Sequence, residues 1–303
     1  MRLRRWIRFL IGCFILGIFV VFIFNFFKFL TGGFSTVLIS PILNLENLKQ
    51  NSSLEKGINK ALEGSTGTYS IAVKNLKTGK SYYLDEHRVF EAASLYKLWV
   101  MGEVFNQIKK GDLKEEDVLS KTIPYLNNKF GISQEDAELK EGGITLSVKN
   151  ALNQMITISH NYAAMLLTEK VKLSSVEKYL KDNGFKESKV GTDGDSPKTT
   201  AFDILLFFEK LYNGRLIEGE YTKQMLELLS KQQLNNKLPQ KLPAETVIAH
   251  KTGEIYSFSH DGGIVLTSKG DYIIVVLADT AIPKAADDRI ADISLAVYKY
   301  FTR

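Results

Sequence analysis

Cysteine is almost missing from this chain: Cys13 is the only one in 303 residues, and it lies inside an apolar N-terminal run. The rest of the chain therefore has no internal disulfide, no thiolate metal ligand and no cysteine nucleophile. A domain with a sufficient core does not need disulfides even when exported. Basic charge is also absent where a nucleic-acid reader would need it. Arg2, Arg4, Arg5, Arg8 and Lys28 precede the first acidic residue, Glu46, and setting these five aside from the 39 basic residues leaves 34 against 34 acidic ones. No basic excess remains to form a nucleic-acid face. The four histidines are scattered and no H-E-x-x-H occurs, which argues against a zinc hydrolase. No G-x-S-x-G elbow is present, which argues against an α/β-hydrolase. Gly79-Lys80-Ser81 lacks the leading glycine of a P-loop, because position 74 is lysine. Repeats and low-complexity tracts are missing too, and a composition 45% hydrophobic and 24% charged is that of a globular protein.

What is present begins with the N-terminus. MRLRRWIR leads into an apolar stretch from Phe9 to Phe27 broken by Asn25, about 19 residues, enough for a helix to span a bilayer. The arginines in front of it place the N-terminus in the cytoplasm and the bulk of the chain outside. The stretch is longer than a signal-peptide core and ends in Phe and Lys rather than A-x-A, so an uncleaved anchor is expected. The expected organisation is a basic tail and transmembrane anchor over 1–30, a linker over 31–45 marked by Gly32-Gly33 and Pro41, and a globular domain over 46–303.

Within that domain a helix is expected over 47–63, then strands over 69–76 and 80–84 that turn at Lys77-Thr78-Gly79, then a buried helix from Ser94 to Ile108. Helices follow over 147–158 and 162–170. Ser174 with Glu177, and Thr200 with Asp203, read as capping boxes for two more, the second ended by Asn213-Gly214, and 221–231 is another helix. Strands return at 246–251, 262–268 and 272–279, the last pair turning at Lys269-Gly270, and a final helix covers 284–301. Strands from both ends with helices between them give an α+β domain: a three-layer α/β/α sheet lobe plus an all-helical lobe, with a site in the cleft between lobes.

Three polar groups stand out. Ser94 and Lys97 are three apart in EAASLYKLWV, so on a helix they share one face. A lysine among Leu95, Leu98, Trp99, Val100 and Met101 loses hydration unless its ammonium finds a partner. Taken alone, the stretch also admits Ser94 as a helix cap and Lys97 as a chain snorkelling outward. Ser159-His160-Asn161 lies at a junction between helices, and Lys251-Thr252-Gly253 is expected to end a strand central in the sheet. The other Lys-Thr-Gly, at 77–79, reads as a hairpin turn and precedes Ser94, so it is in the wrong order.

In this order the groups resemble the S-x-x-K, S-D-N and K-T-G signature of the class A β-lactamase and penicillin-binding protein superfamily. VKNALNQMITISHNYAAMLL, PKTTAFDILLFFEKLYNG, HKTGEI, SHDGGIV and YIIVVLAD extend the likeness over about residues 54–302. The resemblance implies the β-lactamase/transpeptidase-like fold and a serine hydrolase that uses no cofactor or metal. It implies Ser94 as nucleophile, Lys97 as its base, Lys251 as a second charge, and Ser159 as proton relay to the leaving nitrogen. Asn161 would hold the substrate amide and Lys97, Thr252 the substrate carboxylate, and the backbone N–H groups of Ser94 and Glu254, beside Gly253, the oxyanion. Expected substrates are β-lactams or the peptidoglycan stem peptides they mimic. A penicillin-binding D,D-peptidase that deacylates slowly, and a silent cell-wall-binding domain, remain alternatives. The catalytic domain is expected to be monomeric, extracytoplasmic and tied to the cell membrane by the single N-terminal helix.

Two departures qualify the resemblance. His160 replaces the central Asp, as a structural hydrogen-bonder or as a pH-sensitive partner of the site. The segment 185–200 lacks the E-x-x-L-N run that supplies the deacylating Glu, leaving Asp193, Asp195 or Glu187 as replacements or as plain turn residues. The arginine that often assists carboxylate binding is also not evident; His260 lies nearby and reads otherwise as a satisfied strand-end histidine.

Overall fold

Along Tyr272–Asp279 (β9) side chains alternate between two apolar layers. Ile273, Val275 and Leu277 enter one hydrophobic cluster, while Tyr272, Ile274, Val276 and Ala278 enter another. A strand buried on both faces reads as a continuous apolar run, and this one lies at the centre of a five-stranded sheet. That sheet belongs to a computed structural model describing residues 53–191 and 195–303; the basic tail, the expected anchor, the linker and Asp193 lie outside the described residues. Among the described residues no helix is long and apolar enough to cross a membrane.

The sheet joins both ends of the domain. Thr68–Asn75 (β1) and Ser81–Leu84 (β2) form the first hairpin, with Gly79 at φ +72° in its turn. Ile248–Ile255 (β7) and Phe258–Val265 (β8) precede β9, and the antiparallel order is β2-β1-β9-β8-β7. One face is covered by a helix over 53–62 (α1) and by the C-terminal helix Pro283–Phe301, through Leu54, Ile58, Ile290, Ile293 and Val297. The other face meets Ala201–Tyr212 and the helical lobe.

At the centre of that lobe is Lys97–Lys110 (α2), buried at every position from Lys97 to Phe105 and stopped by Gly111 at φ +79°. A helix buried on all sides over these positions belongs inside a core. Phe90–Glu91 (β3) and the 3-10 turn Ala93–Tyr96 lead into it. After α2 come the ribbon of Val118–Thr122 (β4) and Gly143–Ser147 (β5), with Ile123–Lys129 (α3) between them. Val148–Thr157 (α4), Asn161–Val171 (α5), Leu173–Asp182 (α6), Lys198–Thr199 (β6), Ala201–Tyr212 (α7) and Glu220–Ser230 (α8) complete the lobe; the C-terminal helix is α9.

Four expectations are corrected. Ser94 does not open the α-helix: it sits in the 3-10 turn, and Lys97 is the first α-helical residue. The Ser174–Glu177 box does not form, because α6 starts at Leu173 behind Lys172, whose φ of +72° turns the chain without a side-chain cap. Thr200 does cap α7 through the Asp203 amide at 3.2 Å, but the Asp203 carboxylate turns to the Glu187 amide and the Ser188 hydroxyl. The strand carrying Lys251-Thr252-Gly253 is an edge strand, and the triplet lies within it rather than at its end. Its apolar start at Ile248 and Ala249 does not make it central, and the Ser94 turn packs on its face at Gly253.

Candidate active site

The Ser94 turn seats directly on the face of β7 at Gly253. A Cβ placed on Gly253 would lie 3.2 Å from the Ala92 carbonyl oxygen and from Leu95 Cγ, and 3.4 Å from Ala93 Cβ. Glycine is what lets the strand and the turn approach this closely. Gly253→Val is expected to destabilise the domain by about 1–3 kcal/mol through overpacking, measured as a lower urea midpoint; an unchanged midpoint would mean the turn is not seated on β7.

The turn is held from two further sides. The Ala92 amide donates to the Pro197 carbonyl at 2.7 Å, where β3 pairs with β6. His260 on β8, fully buried, accepts from the Ala278 amide through Nδ1 at 3.2 Å, so its proton sits on Nε2, which donates to the Glu91 carbonyl at 2.9 Å. Burial pulls its pKa down to about 4, so the ring is neutral at ordinary pH. His260 is a mid-strand residue bracing the approach to Ser94, not a strand-end one. Ala93 is held at φ +45° and Ser159 at φ +58°, conformations that L side chains adopt only when their surroundings impose them, and often at functional sites.

Ser159, half-buried between α4 and α5, joins the three motifs. Its hydroxyl oxygen lies 2.9 Å from Lys251 Nζ and 3.2 Å from Lys97 Nζ. Lys97 Nζ also donates to the Ser159 carbonyl at 2.6 Å and to Asn161 Oδ1 at 2.7 Å; Lys251 Nζ donates to the Thr252 carbonyl at 2.7 Å. Both lysines are 0% exposed. Burial lowers the Lys97 pKa to about 7, against the opposing pull of Glu138. Lys251 is pushed well below the ordinary lysine value, by burial first and then by the Lys97 charge. Ser94 is half-buried on the turn leading to Lys97.

His160 accepts from the Ala163 amide at 3.2 Å and so caps α5; it acts as a structural hydrogen-bonder. Thr252 is buried, whereas Glu254 is exposed and pairs with buried Lys237, which also lies 3.6 Å from Asp287. Glu187 is taken by His87 at 2.9 Å and by the Thr200 hydroxyl at 2.8 Å, and Asp195 is exposed.

Sequence reasoning missed Lys237, the buried His250–Asp261 pair at 2.9 Å, and Glu138, which accepts from Asn161 Nδ2. Glu138 sits in the polar run SQEDAELKEGG, where no spacing sets one acid apart from its neighbours.

A family model described as the β-lactamase enzyme family matches residues 53–301. The chain belongs to the β-lactamase enzyme family. It is 21% identical over 283 residues to β-lactamase VEB-1 of Pseudomonas aeruginosa, spanning 83% of this chain and 91% of that protein. Its fold is similar to a β-lactamase from Sphaerobacter thermophilus, with a TM-score of 0.72 at 22% identity over 83% of this chain and 97% of the other. A mutant of PBP-A in acyl-enzyme complex with penicillin G superposes with a TM-score of 0.73 at 20% identity, over 83% and 97%. Within this family the chain is a β-lactamase-like serine hydrolase.

Proposed function

We propose that this protein opens the amide of β-lactams through an acyl-enzyme on Ser94. The single observation that carries the reading is the Ser159 hydroxyl held between two buried lysines. As an ammonium, Lys97 has three protons for three acceptors, and the longest bond, to the Ser159 hydroxyl at 3.2 Å, is the one most easily given up. The neutral amine keeps its bonds to the Ser159 carbonyl and Asn161 and presents a lone pair that takes the Ser94 hydroxyl proton. Ser94 Oγ then bonds to the carbonyl carbon, the C–N bond breaks, and the Ser159 hydroxyl passes its proton to the leaving nitrogen, to be reprotonated from Lys97. Lys251 supplies positive charge at that moment. Backbone N–H groups of Ser94 and Glu254 receive the developing oxyanion, Thr252 the substrate carboxylate, and Asn161 the substrate amide. Water finally hydrolyses the ester.

A second reading, a D,D-peptidase-like protein acting on peptidoglycan stem peptides and slow to release β-lactams, is favoured by the occupied Glu187 carboxylate. Neither reading requires a cofactor. Both fit a monomeric domain held outside the cell membrane by the apolar stretch 9–27, a placement that rests on the N-terminal sequence.

Incubation with a chromogenic β-lactam, following product by absorbance and protein mass by spectrometry, separates the readings. Steady turnover is expected for the hydrolase, a lasting adduct for the peptidase. Neither, beside a working control enzyme, would overturn both and leave a silent domain.

A further inference from the structure

Lys237 is a buried ammonium covered by an exposed carboxylate. Its side chain is 0% exposed and donates to Glu254, whose side chain is 56% exposed. Asp287 lies 3.6 Å from the same ammonium. The two carboxylates are held differently. Asp287 accepts from the Ser259 hydroxyl at 2.6 Å and from Asn236 Nδ2 at 2.8 Å, which fixes it. The Glu254 carboxylate has Lys237 as its one partner among the described residues. β7 places this cluster beside Thr252. Residues two apart on a strand share a face, so Thr252 and Glu254 project together. Across the ladder Glu254 pairs with Ser259 of β8, the residue that bonds Asp287. One ammonium against two carboxylates leaves a net negative charge there. Lys251, whose pKa burial and the Lys97 charge push down, feels the cluster too. The Lys237 ammonium pushes it further down and the Glu254 carboxylate pulls it up. The cluster is close enough to act on the site.

We infer that the Glu254 side chain is a built-in rival for the acid group of the substrate, so that the site accepts amides with an uncharged tail beside Thr252 as well as those with a carboxylate there. This rests on the proposed role of Thr252 in receiving the substrate carboxylate. Glu254 occupies the ammonium that an acid group at Thr252 would otherwise reach, and its charge repels that group. A tail that is an ester or a primary amide meets neither effect. Same-face neighbours on a strand lie about 7 Å apart. At an exposed position, where solvent screens part of the field, one unit charge at that distance changes a rate constant by about tenfold. Glu254 therefore removes about tenfold of the preference for an acid tail that Lys251 and Lys237 alone would give.

Benzylpenicillin and its methyl ester, which differ only in this charge, provide the test. Acylation rates of the full-length protein are measured by mass spectrometry at low salt, and the readout is the ratio of the acid rate to the ester rate. Glu254→Gln keeps an acceptor for Lys237 and removes the charge, and the ratio is expected to rise about tenfold over wild type. Glu254→Ala also uncovers the ammonium, and there the ratio is expected to rise at least as far. A ratio that stays the same or falls in both variants overturns the inference, because Glu254 then acts only through its backbone or its packing. If neither variant is acylated by either compound while the wild-type protein is, the Glu254 side chain is needed for the reaction itself and the inference is overturned. If the wild-type protein is acylated by neither compound, the acyl-enzyme reading fails and the inference fails with it.

Discussion

Lys97→Met is expected to lower the acylation rate about a thousandfold, within the range by which a positioned general base accelerates a reaction, and at pH 7 to make the folded domain more stable, not less. The sign follows from burial. Lys97 has a folded pKa of about 7 against an ordinary lysine value of 10.5, so between these values the unfolded chain binds more protons than the folded one and stability rises with pH. Below about pH 7 the burial penalty is present in full, and above about 10.5 it is gone. Methionine fills a similar volume without the penalty. The three hydrogen bonds made by the ammonium temper the gain, which is of the order of 1–3 kcal/mol at pH 7, or several degrees in Tm for a domain of this size. The wild-type protein should stabilise from pH 7 to 10 while the variant stays flatter over that range. A variant that is less stable at pH 7 and still acylates would remove Lys97 from its role.

Lys251→Met is expected to slow acylation about a hundredfold and to shift the pH profile of what remains. The Ser159 hydroxyl loses its 2.9 Å donor, and charge-assisted hydrogen bonds of this kind are the strong ones. Repulsion between two charged amines is mutual: the Lys97 charge pushes the Lys251 pKa down, so wherever Lys251 is charged its removal relieves Lys97. The acid limb of the acylation profile, set by loss of the Lys97 proton, should therefore move to higher pH. A limb that does not move would mean the two amines are not coupled through Ser159.

Much of this site was legible in the sequence because its residues are anomalous where they stand. Lys97 among Leu98, Trp99 and Val100, and two further polar groups between apolar segments, are signals that periodicity makes visible. β1, legible by alternation, and β9, legible as a continuous apolar run, are packed between both helical layers. The rest was set by tertiary placement. β7 reads as central from its apolar start, but it lies at the sheet edge with the Ser94 turn on its face, a placement no local pattern encodes. The ribbon of β4 and β5 and helix α3 fall in a stretch rich in charge, where no period separates strand from loop. Ser174 had the composition of a cap, yet Lys172 at φ +72° starts that helix earlier. Glu138 reaches Asn161 because Tyr162 and Asn127 anchor its neighbour, a contact across 23 residues.

The most direct measurement is the titration of the lysine side-chain amines by NMR, with ¹³C at Cε and Lys97→Met to assign the signal. The expected result is one resonance that titrates near pH 7 and disappears in the variant, with a second, from Lys251, well below the ordinary lysine range. If every lysine titrates near its ordinary value, about 10.4, no buried amine is ready to take the Ser94 proton and the proposed chemistry is contradicted.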